Sequence, residues 1–259
     1  MGVLNVTPDS FSDGGAFQDP DAAVQRGIRM ASDGADLIDV GGESTRPGSQ
    51  PVPLEEELRR VLPVIRHLAK AVRIPLSIDT SKADVAAQAL EAGASIINDV
   101  TALRGDPAMA GVVARSRAAV ILMHMRGTPQ TMQRRPRYRD VVSDVSAFLL
   151  EAARQAQEAG VDRSRILMDP GLGFGKTVAH NLALLRGLPR LVSLGFPVVV
   201  GPSRKSFIGA LLDADVSNRL GGTLACVAYA QRHGAQIVRV HDVQPAAQLV
   251  RILEALESR

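Results

Sequence analysis

The sequence has no tryptophan, two tyrosines and six phenylalanines, so aromatic residues make up only 3% of its 259 positions. A core must therefore be built mainly from Leu, Ile, Val, Ala and Met, and the 46% apolar share is ample for one. The same scarcity removes the aromatic platforms on which nucleic-acid bases stack. Charge of one sign is lacking too: 30 basic against 27 acidic side chains leave +3, and the pI of about 9.4 reflects a small Arg excess. The densest basic run, Arg134, Arg135, Arg137 and Arg139, sits beside Pro136 and Tyr138 and reads as a solvated loop before a helix. Nucleic acid is not an expected partner.

A single cysteine, Cys226, excludes an internal disulfide and fits a reducing compartment, so a cytoplasmic location is expected. It reads as a small apolar residue packed on a helix. No apolar run reaches the length of a membrane span. Residues 1–14 carry Asn5, Pro8, Asp9 and Asp13 without a basic n-region, so no signal peptide is expected. The five histidines (67, 124, 180, 233 and 241) lack ligand spacing, which argues against a tight zinc site. No Ser-His-Asp triad or nucleophilic cysteine stands out.

Eight short apolar runs rich in β-branched residues are present: Gly2–Val6, Leu37–Gly41, Leu76–Asp79, Ser95–Asp99, Val120–His124, Ile166–Asp169, Val198–Gly201 and Ile237–His241. Near-continuous apolarity over so few residues suits strands covered on both faces. Between them lie stretches of helical period. Leu54, Leu58, Val61, Leu62, Ile65, Leu68 and Val72 recur three and four apart, and Glu55–Glu57 open that stretch where carboxylates complement the helix dipole. Phe148 to Ala159 repeats the pattern up to Gly160, and Asp19-Pro20 reads as an N-cap with Pro at the first helical position. Eight βα units in one 259-residue chain predict a single-domain (β/α)₈ barrel over residues 1–259. The competing open, doubly wound sheet lacks its Gly-x-Gly-x-x-Gly after the first run.

Nearly every run ends in polar residues: Asn5; Asp39 with Glu43-Ser-Thr45-Arg46-Pro47; Asp79; Asn98-Asp99; His124; Asp169 with Lys176; Ser203-Arg204-Lys205-Ser206; Arg239 with His241. One such residue can be an ordinary helix cap. Caps do not require Arg and His within the eighth run, and in a barrel these positions ring the mouth where chemistry takes place. Three of the four lysines, Lys82, Lys176 and Lys205, also follow runs closely. Arg46, Arg204, Lys205, Arg239 and His241 favour an anionic, phosphorylated ligand, and the Gly-rich turns after runs two and six let backbone N–H groups approach it. Gly171-Leu-Gly-Phe-Gly-Lys-Thr177 imitates a nucleotide P-loop, but Pro170 stands where its first glycine belongs. Asp79, Asn98 and Asp169 suit a flat heterocycle rich in N–H groups. Asn5 could ligate a Mg²⁺ carried in on a phosphate, or could order its own loop.

The segments Asn5-Val-Thr-Pro-Asp-Ser-Phe-Ser-Asp-Gly-Gly15, Gly42-Glu-Ser-Thr-Arg-Pro-Gly48, Ile78-Asp-Thr80, Ile97-Asn-Asp99, Asp169-Pro-Gly-Leu-Gly-Phe-Gly-Lys176, Ser203-Arg-Lys-Ser206 and Arg239-Val-His-Asp242 run in order along the whole chain. In that order they resemble the dihydropteroate synthases. The resemblance implies a barrel that joins 6-hydroxymethyl-7,8-dihydropterin diphosphate to 4-aminobenzoate in folate synthesis. It implies an SN1-like loss of diphosphate, with Asp79, Lys205, Arg239 and His241 catalytic. It assigns the pterin to Asp79, Asn98, Asp169, Lys205 and Arg239, and the diphosphate to Asn5, Thr45, Arg46, Arg239 and His241. It assigns 4-aminobenzoate to Thr45, Pro47, Phe174, Lys205 and Ser206, and Mg²⁺ to Asn5. A first loop (residues 7–17) would close with the second over the site.

The resemblance also implies a homodimer through outer helices, with Met30, Leu212 and Val227 as interface or core. Sulfonamides are expected as competitors, because Gly171–Lys176 lacks the widened insertion of resistant relatives. Family members usually carry a segment before the first strand, which is absent from this sequence. Two other readings stand beside the synthase. A pterin-dependent methyltransferase barrel would share Asp79, Asn98 and Asp169 but would not need the Thr45-Arg46 loop. A non-catalytic pterin-binding relative would show losses among the loop residues.

Overall fold

The computed structural model describes residues 1–7 and 20–258. Eight strands alternate with helices: β1 (Gly2–Asn5), α1 (Pro20–Ser32), β2 (Ile38–Gly41), α2 (Leu54–Ala71), β3 (Leu76–Asp79), α3 (Ala83–Glu91), β4 (Ile96–Asp99), α4 (Met109–Ser116), β5 (Ala119–Met123), α5 (Val141–Glu158), β6 (Ile166–Asp169), α6 (Val178–Arg186), α7 (Leu188–Val192), β7 (Val199–Val200), α8 (Ser206–Leu212), α9 (Leu220–Arg232), β8 (Ile237–Val238) and α10 (Val243–Glu257). Strands β1 to β6 pair in parallel in chain order, and β7 pairs with β8. Single parallel bridges, Met168 to Val198 and Gly2 to Val240, join the two sheets at both seams. Val3 N–H donates to the Val240 carbonyl (2.9 Å), and Val240 N–H donates to the Met1 carbonyl (3.0 Å). The ring is therefore a closed (β/α)₈ barrel, as expected.

Side chains alternate along each strand, so one set faces the helices and the other the barrel interior. The helix-facing set includes Leu4, Ile38, Val40, Ile78, Ile97, Val120, Leu122, Ile166, Met168, Val198 and Val200, which share one core with Val61, Ile65 and Leu68 of α2. The interior set fills the lower end with a separate apolar plug: Met1, Leu37, Ile121 and Val199, with Ile96, Leu167 and Ile237 against it. Two residues further along the same strands stand Asp39, Asn98, Met123, Asp169, Gly201 and Arg239. The period of two thus places a polar layer on an apolar floor.

The largest departures from the sequence reading are in β7, β8 and α5, while β1, β2 and β4 shift by one residue at one end and β5 by one at both. Strands β7 and β8 are only two residues long, because Pro197 and Pro202 bracket β7 and offer no N–H to the ladder. Helix α5 begins at Val141 rather than Phe148, where the Asp140 side chain accepts the Ser143 N–H at 2.6 Å and caps it. Helix α1 does begin at Pro20, while its expected cap, Asp19, lies outside the described residues. Of the three interface candidates, Met30 and Val227 are buried in the core and Leu212 is exposed. The arginine run 134–139 is exposed, as expected of a solvated loop.

Candidate active site

At the strand C-terminal end the interior opens into a cleft. Its walls bring together seven of the residues singled out from the sequence: Thr45, Asp79, Asn98, Asp169, Phe174, Lys205 and Arg239. Val100, Met123 and Leu172 add apolar surface. This mixture of apolar wall and a few convergent polar groups suits a flat, N–H-bearing ring.

Arg239 organises the polar layer. Its Nε donates to Asp39 Oδ2 at 2.7 Å, and its terminal NH2 nitrogen reaches Asp39 Oδ2 (2.6 Å) and Asp79 Oδ2 (2.7 Å). Asn98 Nδ2 donates to the same Asp39 oxygen at 3.0 Å. The network ties β8 to β2, β3 and β4. Burial opposes the Arg239 charge, but Asp39 and Asp79 outweigh it and hold its pKa up. Burial pushes the Asp79 carboxyl up to about 7, against the pull of Arg239 and with the push of Asp39. Burial likewise raises Asp169, although the Gly171 N–H donates to its Oδ1 at 2.7 Å. Burial lowers Lys205 to about 8, helped by Arg239, and its Nζ lies 4.2 Å from the Phe174 ring centroid.

Asp39 was named in the sequence only as part of a strand end, yet it is fully buried and bonded to both Arg239 and Asn98. Among the described residues its Oδ1 has no hydrogen-bond partner, nor has the nearby buried Ser77 hydroxyl. The signal was available: a carboxylate inside an apolar strand, two residues beyond Leu37 and so facing the interior.

The other expected residues surround the mouth without lining it. Asn5 ends β1, half-buried, and its amide has no partner among the described residues. Arg46 and Pro47 are exposed on the β2–α2 loop, and Ser206 is exposed at the start of α8. His241 is half-buried with Nδ1 2.9 Å from the Ser203 hydroxyl. Burial, then Arg239 and the other nearby cations, push it down to about 3, so it is neutral at neutral pH. It can serve an anion as a hydrogen-bond partner, and a negative charge beside it would push its pKa back up. The first loop (7–17) lies outside the described residues beyond Thr7.

Four expectations change. Arg204 does not extend free into the rim: it grips Asp242 with two hydrogen bonds (2.9 and 2.5 Å). The N–H groups of the β6–α6 glycines are not all free for a ligand, since Gly171 serves Asp169 and Gly173 serves Asn181 Oδ1 at 2.7 Å. Lys176 turns inward, 3% exposed, and lines no part of the cavity. Glu57 does more than complement the dipole of α2. It is buried and pairs with Lys82, which also holds Glu43 at 2.5 Å.

Glu43 in turn accepts the Val52 N–H at 3.1 Å, closing the base of the loop that carries Thr45. The Arg60 NH1 nitrogen fixes the adjoining Gly42 carbonyl at 2.8 Å. Lys82→Met is expected to destabilise the fold by about 3 kcal/mol, the low end for removing one partner of a buried pair because Lys82 is itself 27% exposed. Urea unfolding measures this, and a loss under 1 kcal/mol would mean that Glu57 is adequately solvated without Lys82.

The chain matches the family described as pterin binding enzyme over residues 1–241. It is 48% identical over 257 residues to the dihydropteroate synthase of Synechocystis sp., covering 99% of this chain and 89% of the relative. A solved dihydropteroate synthase of Xanthomonas albilineans with 4-aminobenzoic acid superposes with a TM-score of 0.95 at 48% identity, covering 100% of this chain and 93% of that one. Another from the same organism, in complex with 7,8-dihydropteroate, gives 0.91 at 45% identity, with 100% and 93% covered. Similarity of this extent, over a barrel whose mouth gathers the family's motif residues, means that the chain belongs to the dihydropteroate synthase family of pterin-binding enzymes.

Proposed function

We propose that this protein, acting as one catalytic domain over residues 1–259, joins 6-hydroxymethyl-7,8-dihydropterin diphosphate to 4-aminobenzoate. The products are 7,8-dihydropteroate and diphosphate. The observation that carries the reading is the Asp79–Arg239–Asp39–Asn98 network on the apolar floor, open above to Lys205 and Phe174. Carboxylates and an amide in a dry pocket accept the ring and exocyclic N–H groups of a pterin. The C–O bond to diphosphate breaks with its electron pair leaving on the diphosphate. The aniline nitrogen supplies the pair for the new C–N bond and releases a proton to water. Its amine is already neutral and nucleophilic, so no strong general base is needed.

Asp79 faces the ring and stabilises positive charge spreading onto it as the C–O bond stretches. Arg239, with Thr45, Arg46 and neutral His241, receives the diphosphate. Lys205, Phe174, Pro47 and Ser206 flank the aminobenzoate, where sulfonamides of similar shape compete. Among the described residues no group of three or more His, Cys, Asp or Glu could cage a metal. A Mg²⁺ arriving on diphosphate needs only one or two protein oxygens, and the Asn5 amide, which has no partner among the described residues, fits that need. When bound, it would neutralise charge on the departing diphosphate.

No described helix is long and apolar enough to cross a membrane. The proposed setting is the cytoplasm, where a lone thiol such as Cys226 stays reduced. Leu211, Leu212, Val216, Leu220, Tyr229, Ile252 and Leu256 form exposed apolar surface on α8 to α10 and the turn between, which supports a homodimer through these helices.

The deciding test is diphosphate release by the purified protein with the dihydropterin diphosphate and Mg²⁺, with and without 4-aminobenzoate. Dihydropteroate appearing in step with aminobenzoate-dependent release is the expected result. Tight pterin binding without release would favour the non-catalytic reading. The pH profile provides a further check. With Asp79 titrating at about 7 and Lys205 at about 8, kcat/KM is expected to fall below pH 7 as Asp79 takes up a proton. It should fall again above pH 8 as Lys205 loses one. A flat profile between pH 5 and 7 would show that Arg239 keeps Asp79 ionised throughout.

A further inference from the structure

Lys176 is buried behind the β6–α6 loop and takes no part in the steps above. Its Nζ donates to the Phe174 carbonyl at 2.9 Å and to the His124 carbonyl at 3.2 Å, and lies 3.0 Å from His124 Nδ1. None of these partners is a carboxylate. Burying an ammonium without an ion pair is costly, and an apolar side chain of similar volume would fill the space more favourably. Burial lowers this lysine to about 7; the Asp169 carboxylate opposes that fall without bonding to it, and Lys205 adds to it. What its contacts fix is the backbone: two of the three are carbonyls, of His124 and Phe174.

The loop it holds bears on the site directly. The Gly173 carbonyl accepts from Gln133 Nε2 at 2.6 Å and the Gly175 carbonyl from the Tyr138 hydroxyl at 2.8 Å. The carbonyl between them, that of Phe174, is held by Lys176. Three successive carbonyls are thus fixed by side-chain donors, and the residue whose carbonyl Lys176 holds is the one whose ring faces the cavity under Lys205.

We infer that Lys176 is a positioning residue for the aminobenzoate subsite: it pins the Phe174 carbonyl to the end of β5 and so fixes the Phe174 ring beneath Lys205. This rests on Phe174 flanking the aminobenzoate, as proposed above.

The test is steady-state kinetics of full-length Lys176→Met, Phe174→Leu and the double variant. Lys176→Met is expected to raise KM for 4-aminobenzoate at least about tenfold, the scale of misplacing a contact, while KM for the pterin substrate changes less than about twofold. Phe174→Leu should raise the same KM. Adding Lys176→Met to Phe174→Leu should then cost less than about twofold, because both act through one ring. Lys176→Gln, which keeps a donor, should fall between parent and methionine. If the methionine variant does not accumulate folded, glutamine takes its place in the cycle. A fall in kcat with both KM values unchanged, or full additivity with Phe174→Leu, would overturn the positioning role. An unchanged aminobenzoate KM in Phe174→Leu alone would instead overturn the subsite assignment on which the role rests.

Discussion

Replacing Arg239 with alanine is expected to lower kcat by about 10²–10³, the range for removing one charge-stabilising donor, or about 2.7–4 kcal/mol in the barrier. Arg239 lies at the end of β8, 20% exposed, with its guanidinium shared between Asp39 and Asp79. It is the cation already in place when charge builds on the leaving diphosphate. Its loss has a second effect in the resting protein. Two buried carboxylates would lose their common partner, and Asp79, already pushed up by burial and by Asp39, would lose the guanidinium that opposes that rise. Asp79 would then take up a proton more readily, moving the acid limb of the pH profile to higher pH. The fold should survive by that protonation, which separates this variant from an unfolded one.

Arg239→Lys retains a positive charge but not the two-pronged contact, so it should recover part of the rate. Dihydropteroate formation measured beside thermal unfolding decides the matter. Turnover of Arg239→Ala within threefold of the parent would remove Arg239 from the reaction.

Gly171→Ala is expected to be the most damaging glycine-to-alanine change among the described residues, costing at least about 4 kcal/mol, a size reached only by clashes and similar disruptions. Gly171 has φ of +66°, where a side chain is strained. A Cβ there would stand 2.0 Å from the His124 carbonyl oxygen, which is backbone and cannot swing aside. Either β5 or the β6–α6 loop must move. The same residue donates to Asp169 and lines the cavity, so any shift carries into the pterin pocket. Gly48→Ala is the control, since φ there is also positive (+83°) but nothing lies within 4 Å of the added carbon. Its cost should be only the strain. Equal effects of the two substitutions on unfolding would show that the approach to His124 does not matter.

The barrel was legible because strands covered on both faces must be apolar throughout. All eight runs became strands or the ends of strands, with Leu76–Asp79 and Ile166–Asp169 unchanged at both boundaries. The polar ring was legible because an interior position above an apolar floor has no reason to be polar except for a ligand. Sequence reading did not reveal which polar groups satisfy one another. Arg204 and Arg239 look alike in the chain, yet one is held by Asp242 beside α10 and the other crosses the interior to β2 and β3. Lys82, Lys176 and Lys205 follow strands in the same way, but only Lys205 reaches the cavity. Such partnerships depend on contacts between residues far apart in sequence. Asp39 to Arg239 spans 200 residues, and periodicity carries no information across that distance.

The two seams of the barrel also bear on the order in which it is made. From β1 to β6 each strand finds its partner one crossover away, so the ladder can grow as the chain lengthens. The seam between β8 and β1 joins Met1 to Val238, 237 residues apart, through isolated contacts between very short strands. Loop closure of that span brings little reward until most of the barrel exists, which makes this seam the late event in folding. Until then the edge of β1 is unpaired and open to other chains. Arg239 follows β8 immediately, so Asp39 and Asp79 wait on early strands for a counterion supplied last. A nascent chain therefore has no working pocket until its final strand docks, and ligand binding reports completed folding.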